Sequence, residues 1–278
     1  MSGRSVFLPL DGHEIHVTEW GDPAASALVM WHGLARTGRD FDELARALSD
    51  AYFVICPDTI GRGMSSWSRQ PNADYGPSAY ARTALAMLDH YGIDRAAWIG
   101  TSLGGLIGIH LAQSGRLTGL ILNDIGPEIP AKAVARIMEY AGTLPDFATM
   151  AEAREWLRTV YTPFGPAPDG FWQRMVGTSV RRRGDGRLTL HYDPAIIAAF
   201  PHFETEMRTW DQMARITLPV HVLRGAQSDI LPKDIADRMM ALPCVRSITE
   251  SEGCGHAPSL ARPEDAQLIR ELLSGFDA

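Results

Sequence analysis

Apolar residues follow two repeating patterns over the first 125 positions of the chain. Short apolar runs predict buried strands, and segments in which apolar residues recur every three or four positions predict helices. Predicted strands span residues 14–20, 27–32, 52–56, 96–100 and 117–122, and predicted helices span residues 78–91 and 103–111. Because continuous apolar strands alternate with helices, the pattern predicts a doubly wound α/β domain with a parallel sheet covered on both faces.

The pattern changes after residue 124. From there to residue 205 the chain contains helical stretches separated by Pro and Gly clusters, with no convincing buried strand. The alternation of strand and helix then resumes and continues towards the C-terminus. We therefore expect an α/β core formed by residues 1–126 and 206–278, and a helical cap insertion formed by residues 127–205. Helices are predicted at 131–140, 150–160, 170–179, 233–242 and 263–273, and strands at 219–224 and 245–249.

The segment Gly100-Thr101-Ser102-Leu103-Gly104 lies between an apolar strand and an apolar helix. A G-x-S-x-G pattern in that context is typical of a nucleophile elbow, a sharp turn that holds the serine in a strained backbone conformation at a helix N-terminus. The flanking glycines are needed because a Cβ atom would clash with the adjoining strand and helix. The structural alternative is a glycine-rich turn around a buried serine. We take Ser102 as the candidate nucleophile.

A serine hydroxyl needs a base to become a nucleophile near neutral pH. Among the nine histidines, His256 has the best position, in the turn-forming segment 253–258 after the last predicted strand. Loops that follow parallel strands gather at one edge of the sheet, where Ser102 also lies. The structural alternative is a surface histidine in a flexible loop. His32, which ends a strand beside Gly33, is expected to brace that loop through hydrogen bonds.

Two carboxylates compete to orient the histidine, because each follows a predicted strand. Asp124 follows residues 117–122, and Asp229 follows residues 219–224. The chain order Ser, Asp, His holds for either residue.

The oxyanion hole requires two backbone N–H groups. We expect one from Leu103, directly after the nucleophile, and one from Leu34.

Together these segments resemble the α/β-hydrolase superfamily over nearly the whole chain, and within it the small bacterial carboxylesterase-like members with a helical cap. The resemblance rests on His32-Gly33, the elbow, Asp229, His256 and a D-x-x-G-x-G-x-S loop at residues 58–65. It implies an eight-stranded, mostly parallel sheet with the cap inserted after strand six. It also favours Asp229 as the acid and leaves Asp124 as the alternative triad acid, otherwise with a supporting role.

The resemblance implies ester hydrolysis through an acyl-enzyme, with no metal or organic cofactor. Relatives with an aspartate nucleophile are disfavoured by Ser102. The loop after the first core strand reads His32-Gly33-Leu34-Ala35-Arg36, without the HGGG form of many lipases or the proline of HGxP loops. This departure argues against bulky tertiary-alcohol esters and true lipids as substrates.

The composition limits the kinds of partner that we expect the protein to bind. The net charge of −7 and pI of about 5.7 argue against nucleic acid, because phosphate binding requires a basic surface. The three cysteines match no zinc spacing, the N-terminus does not read as a signal peptide, and no 18-residue apolar window suggests a membrane span. We expect a cytoplasmic protein that binds a small-molecule ester, while its oligomeric state stays open.

Apolar residues of the predicted insertion supply the clues to the substrate. Most should pack the insertion onto the core, and some should line an apolar pocket over Ser102. We expect a small to medium, largely apolar substrate, because Arg36 is the only basic residue that the sequence puts near the oxyanion loop. The candidate substrate-binding residues are Arg36, Met138, Trp156 and Trp172.

The same machinery serves several reactions. Hydrolysis of esters, with lactones as a variant, is the leading hypothesis. The alternatives are C–C bond hydrolysis of a ring-fission diketone, cofactor-free perhydrolysis, and a ligand receptor that keeps the fold with negligible turnover. A panel of aryl esters set against a vinylogous diketone would separate the first two.

Overall fold

The computed structural model describes residues 2–276, which form one eight-stranded sheet flanked by helices. The strand order is β1-β2-β4-β3-β5-β6-β9-β10, in which β2 is antiparallel to both β1 and β4 and every other pair is parallel. A separate two-stranded hairpin pairs β7 with β8. The strands are β1 Arg4–Leu10, β2 His13–Trp20, β3 Ser26–Trp31, β4 Tyr52–Pro57, β5 Ala96–Thr101, β6 Leu117–Asn123, β7 Val180–Arg182, β8 Leu188–Leu190, β9 Val220–Gly225 and β10 Val245–Ser251.

Helices cover the sheet and fill the connection between β6 and β9. The α-helices are α1 Asp42–Leu48, α2 Pro71–Asp74, α3 Pro77–His90, α4 Leu103–Leu111, α5 Ala131–Gly142, α6 Met150–Val160, α7 Asp169–Ser179, α8 Ala195–Ala199, α9 Trp210–Ala214, α10 Lys233–Met240 and α11 Pro263–Leu273. Short 3₁₀ helices span Gly38–Phe41, Thr162–Phe164 and Phe200–Met207. Within the described residues, no helix is both long and apolar enough to span a bilayer.

Alternate residues of the central strands enter two different hydrophobic cores. On β3, Val29 and Trp31 belong to the larger core, whereas Leu28 and Met30 belong to the smaller one on the opposite face. All four side chains are fully buried. Since successive side chains of a strand point to opposite faces, a strand covered on both sides must be apolar at every position. The predicted fold class, a parallel sheet covered on both faces, is confirmed.

Two regions of strand were missed in the sequence. The edge strand β1 alternates between exposed and buried positions only near its end, so its apolar signal is weak. The hairpin β7–β8 lies in the segment where no strand was predicted, and each of its strands is only three residues long. Strands this short contain too few residues to display a periodicity.

The segment between β6 and β9 is an insertion between two neighbouring strands, because β6 and β9 pair directly and in parallel. Residues 127–205, called here the inserted segment, contain α5 to α8 and the hairpin. This segment is hydrogen-bonded to the core, since the Gly63 N–H donates to the His191 carbonyl and the Asp193 N–H donates to the Gly61 carbonyl, both over 2.8 Å. Residues of its helices α5, α6 and α7 line one cavity together with Ser102.

Candidate active site

Ser102 occupies the turn between β5 and α4 and has φ of 53° and ψ of −115°. A residue other than glycine with positive φ is strained, and such strain concentrates at functional sites. The turn also brings backbone segments into contact. A Cβ atom at Gly100 would lie 2.2 Å from the Gly104 carbonyl oxygen, and one at Gly104 would lie 2.0 Å from the Trp31 carbonyl oxygen. Both glycines are thus required for the sharp turn, as the sequence predicted.

The structure brings His256 to Ser102. The imidazole Nε2 lies 3.0 Å from the Ser102 Oγ, which is hydrogen-bond distance. His256 lies in the loop between β10 and α11, and this loop is tied to the inserted segment because the Gly255 N–H donates to the Pro163 carbonyl over 2.7 Å. Two residues separated by 154 positions in the chain therefore meet at one sheet edge.

Asp124 is the carboxylate that contacts the histidine. Its Oδ2 lies 2.7 Å from the Nδ1 of His256, and its side chain is fully buried. The other oxygen, Oδ1, accepts a hydrogen bond from the Gly225 N–H over 2.8 Å, and the Ser228 hydroxyl donates to Oδ2 over 2.6 Å. A buried carboxylate is stable when its oxygens are satisfied in this way.

Asp229 is placed differently from the prediction, in which its carboxylate orients His256. Its carboxylate forms a two-pronged ion pair with Arg136, over 2.7 and 2.9 Å, whereas the Nδ1 of His256 is bonded to Asp124. Its side chain is 49% exposed. The chain turns at Ser228, whose hydroxyl accepts from the Ile230 and Leu231 N–H groups while it donates to Asp124, so the next side chain projects outward. The resemblance misled because the loops after β6 and β9 meet at the same sheet edge.

Asn123 is a buried residue of this site that the sequence analysis did not single out. Its Nδ2 donates to the Thr101 hydroxyl and to the Pro258 carbonyl, both over 3.0 Å. Its backbone carbonyl accepts from the Ser102 N–H over 3.0 Å. One side chain thus links the serine turn to the histidine loop. The only signal in the sequence was its position directly before Asp124.

The loop after β3 lies against the serine, where the second oxyanion donor was predicted. A Cβ atom at Gly33 would lie 3.6 Å from the Ser102 Cβ. The next residue, Leu34, lines the cavity above the serine, and its carbonyl accepts a hydrogen bond of 2.8 Å from Arg62. Leu103 is the first residue of α4, where the N–H groups have no partner within the helix. The two residues predicted for the oxyanion hole therefore flank Ser102.

His32 braces this loop, as expected. Its Nδ1 lies 2.7 Å from the Gly33 carbonyl oxygen, and its Nε2 accepts from the Thr59 N–H over 2.9 Å. These contacts identify a neutral ring that donates from Nδ1. Burial lowers the pKa of His32 from 6.5 to about 4 despite the nearby Asp58 carboxylate, which acts in the opposite direction.

A cavity of about 60 Å³ lies over Ser102 and His256. Much of its wall is apolar and comes from both the core and the inserted segment. A typical site for a ligand of drug size measures about 300–1,000 Å³, so the cavity in this structure is small. Apolar side chains of its wall include Leu34, Ile137, Val160, Phe164 and Phe171.

Of the four predicted substrate-binding residues, only Arg36 lines this cavity. Met138 lines a neighbouring groove and Trp156 a shallow surface depression. Trp172 packs edge-on against Phe171, which takes the place in the cavity wall that was predicted for its neighbour. The helical spacing revealed which segments carry apolar faces but not which face of each helix turns towards the serine.

Arg36 is nearly buried and already has a carboxylate partner. Its guanidinium donates to both oxygens of Asp40, over 2.8 and 2.6 Å, and lies over the Tyr161 ring at 4.8 Å from the centroid. These contacts account for the raised pKa of Arg36, which burial alone would lower. The charge of Arg36 is thus compensated within the cavity wall.

Comparison with known proteins identifies the family. The model of the alpha/beta hydrolase family matches residues 28–267. The chain belongs to this family. A 3-hydroxybutyrate-oligomer hydrolase from Cupriavidus necator is 35% identical over 96% of this chain and 95% of its own. Lipase LipV from Mycobacterium tuberculosis is 29% identical over 94% of this chain and 98% of its own. The crystal structure of an alpha/beta hydrolase from Novosphingobium aromaticivorans superposes with a TM-score of 0.88, at 31% identity and 99% coverage of both chains.

This alpha/beta hydrolase contains a second group of the same three residue types. The Ser5 hydroxyl lies 2.6 Å from the Nε2 of His16, whose Nδ1 lies 2.8 Å from the Asp58 Oδ2. Ser5, however, is exposed on the regular edge strand β1 and lines none of the cavities described above. The group therefore lacks the strained turn, the helix N-terminus and the enclosed wall found at Ser102.

Proposed function

We propose that the protein is a serine carboxylic-ester hydrolase with Ser102 as nucleophile, His256 as general base and acid, and Asp124 as the orienting acid. The observation that carries the proposal is the continuous chain of hydrogen bonds from Ser102 through His256 to the buried Asp124. The family membership and the relatives named as hydrolases support hydrolysis in general.

The reaction follows from these contacts. His256 Nε2 takes the hydroxyl proton while the Ser102 Oγ attacks the ester carbonyl carbon. The N–H groups of Leu34 and Leu103 stabilise the resulting oxyanion, and the ionised Asp124 stabilises the imidazolium. His256 then gives the proton to the departing alcohol, which leaves an acyl-enzyme. Water loses a proton to His256 as it attacks the acyl carbon, and the acid departs as Ser102 regains its proton.

The apolar wall supports esters of small to medium size that are largely apolar. Oligomers of a short hydroxy acid fit this description, since they consist of aliphatic units joined by ester bonds. The named activity of the relative from Cupriavidus necator makes 3-hydroxybutyrate oligomers the first natural substrates to test on this chain.

Turnover of 4-nitrophenyl butyrate by wild type, Ser102→Ala and Ser5→Ala tests the proposal. Ser102→Ala should lose at least about 10³-fold in kcat, because the nucleophile is gone. Ser5→Ala should keep the wild-type rate, although its serine also contacts a histidine paired with an aspartate. Equal activity of wild type and Ser102→Ala would refute the assignment.

A further inference from the structure

Arg136 is the basic residue of the active-site cavity that the sequence did not predict. It lies on α5 of the inserted segment and lines the same cavity as Ser102 and His256. It also lines the adjoining surface depression that contains Asp229, and its side chain is 42% exposed. The guanidinium therefore stands at the mouth of the cavity, between the nucleophile and solvent.

The two arginines of the cavity wall differ in where their charge is compensated. Arg36 is paired with Asp40, and both residues belong to the wall. Asp229, the partner of Arg136, lies outside the cavity, in the neighbouring depression. The charge of Arg136 is thus compensated by a half-exposed carboxylate that is not part of the cavity wall. An anionic group of a substrate at this mouth can compete with Asp229 for the guanidinium.

The present contact of Arg136 already has carboxylate-binding geometry. Its Nε and one terminal nitrogen donate to the two oxygens of Asp229 in the paired arrangement that suits a carboxylate. Exposed ion pairs contribute little to stability, so a second carboxylate can replace Asp229 at small cost. The pair also joins the inserted segment to the core beside a cavity too small for a sizeable ester.

We propose that Arg136 binds a free carboxylate of the substrate, which takes the position now held by the Asp229 carboxylate. The substrate class is then an ester that is apolar apart from one acidic end. This proposal rests on the ester hydrolysis proposed for Ser102 and adds to it the residue that selects acidic esters.

Two matched esters test the proposal: 3-butanoyloxybutanoate and its neutral primary amide. Each contains one ester bond, and release of butanoate measures turnover of both. Wild type should prefer the acid in kcat/KM by about two- to fivefold, the range expected for an exposed ion pair. In Arg136→Gln this ratio should fall to about one, mainly through a higher KM for the acid, because the contact is present in both the ground and transition states.

Two further variants distinguish recognition from general disturbance. Arg136→Lys keeps the charge but not the two-pronged contact and should give an intermediate ratio. Arg154→Gln is the control, because Arg154 is an equally exposed arginine of the inserted segment, paired with Glu155. It should keep the wild-type ratio.

Asp229→Asn removes the competing negative charge and should lower the KM for the acid below the wild-type value. Three results would overturn the proposal: equal rates of wild type on both esters, a wild-type ratio in Arg136→Gln, or a higher KM for the acid in Asp229→Asn. The neutral amide substrate separates this proposal from the proposal of ester hydrolysis by Ser102. Hydrolysis of the amide by wild type and not by Ser102→Ala supports ester hydrolysis whatever the acid preference.

Discussion

His32 fixes the loop after β3 through a ring that burial keeps neutral. The Nδ1 of its ring donates to the Gly33 carbonyl, and the Nε2 accepts from the Thr59 N–H. Protonation would add a hydrogen to Nε2 and bring two donors, that hydrogen and the Thr59 N–H, against each other. The same ring therefore ties the position of a loop beside Ser102 to pH.

We predict a loss of stability in mild acid that depends on His32. Its folded pKa of about 4 lies below the unfolded value of 6.5, so the unfolded state binds more protons between these pH values. The contribution of the neutral ring is complete above pH 6.5 and declines as the pH falls towards 4, by up to about 3 kcal/mol. Urea unfolding of wild type and His32→Gln at pH 7 and pH 4.5 measures it. Curves that shift equally with pH in both proteins would contradict the prediction.

The position of Arg136 in the cavity wall could not be predicted from the sequence. Arg36 was found because it lies two positions after the predicted oxyanion residue Leu34. Arg136 lies in the middle of a helix, and its place in the cavity depends on the rotation of α5 relative to the sheet. No local pattern encodes that rotation. For the same reason Met138, only two positions away, turns into a different groove.

At the level of elements, the strand–turn–helix unit that carries Ser102 was predicted most completely. The predicted and observed bounds of α4 are identical, at residues 103–111. The unit is local: an apolar strand, two glycines and an apolar helix suffice to encode it. Tertiary contacts then hold it in place, since the Trp98 indole N–H donates to the Gly104 carbonyl over 2.9 Å.

We predict that Gly104→Ala distorts this unit. The new methyl group would lie 2.0 Å from the Trp31 carbonyl oxygen, so either β3 or α4 must move. We expect a loss of at least about 2 kcal/mol in the free energy of unfolding, with reduced activity. Gly177→Ala is the matched control in helix α7, because a Cβ atom there meets nothing within 4 Å and alanine should stabilise the helix by about 0.5–1 kcal/mol. Thermal unfolding of wild type and the two variants measures these changes in stability. Equal stabilities of the two variants would contradict the structure at the turn.

Across the whole molecule, the strand order explains why the sequence predicted that Ser102 and His256 lie together but offered two candidate acids. Loops after β5, β6, β9 and β10 share one sheet edge, because these strands are adjacent and parallel. This arrangement brings Ser102 and His256 together from distant parts of the chain. It also brings both Asp124 and Asp229 to the same edge, so the strand pattern alone left the choice open.

The direction of each side chain determines which of the two acids contacts His256. Asp124 has positive φ, at 58°, and is held by Gly225 and Ser228 with its carboxylate turned inward. Asp229 follows Ser228 and turns outward to Arg136. Detecting this from sequence would have required knowing that the Ser228 hydroxyl bonds to the end of another strand, a long-range contact of 104 positions.

The central claim is that hydrolysis depends on Ser102, His256 and Asp124 as a unit. The most direct test compares kcat on 4-nitrophenyl acetate, a neutral ester, for Asp124→Asn and Asp229→Asn. Asp124→Asn should lose about 10³–10⁴-fold, because the amide cannot stabilise the imidazolium or hold the required tautomer. Asp229→Asn should lose less than about tenfold. The reverse order, with Asp229→Asn as the inactive protein, would contradict the assignment of the acid and the chain of hydrogen bonds on which it stands.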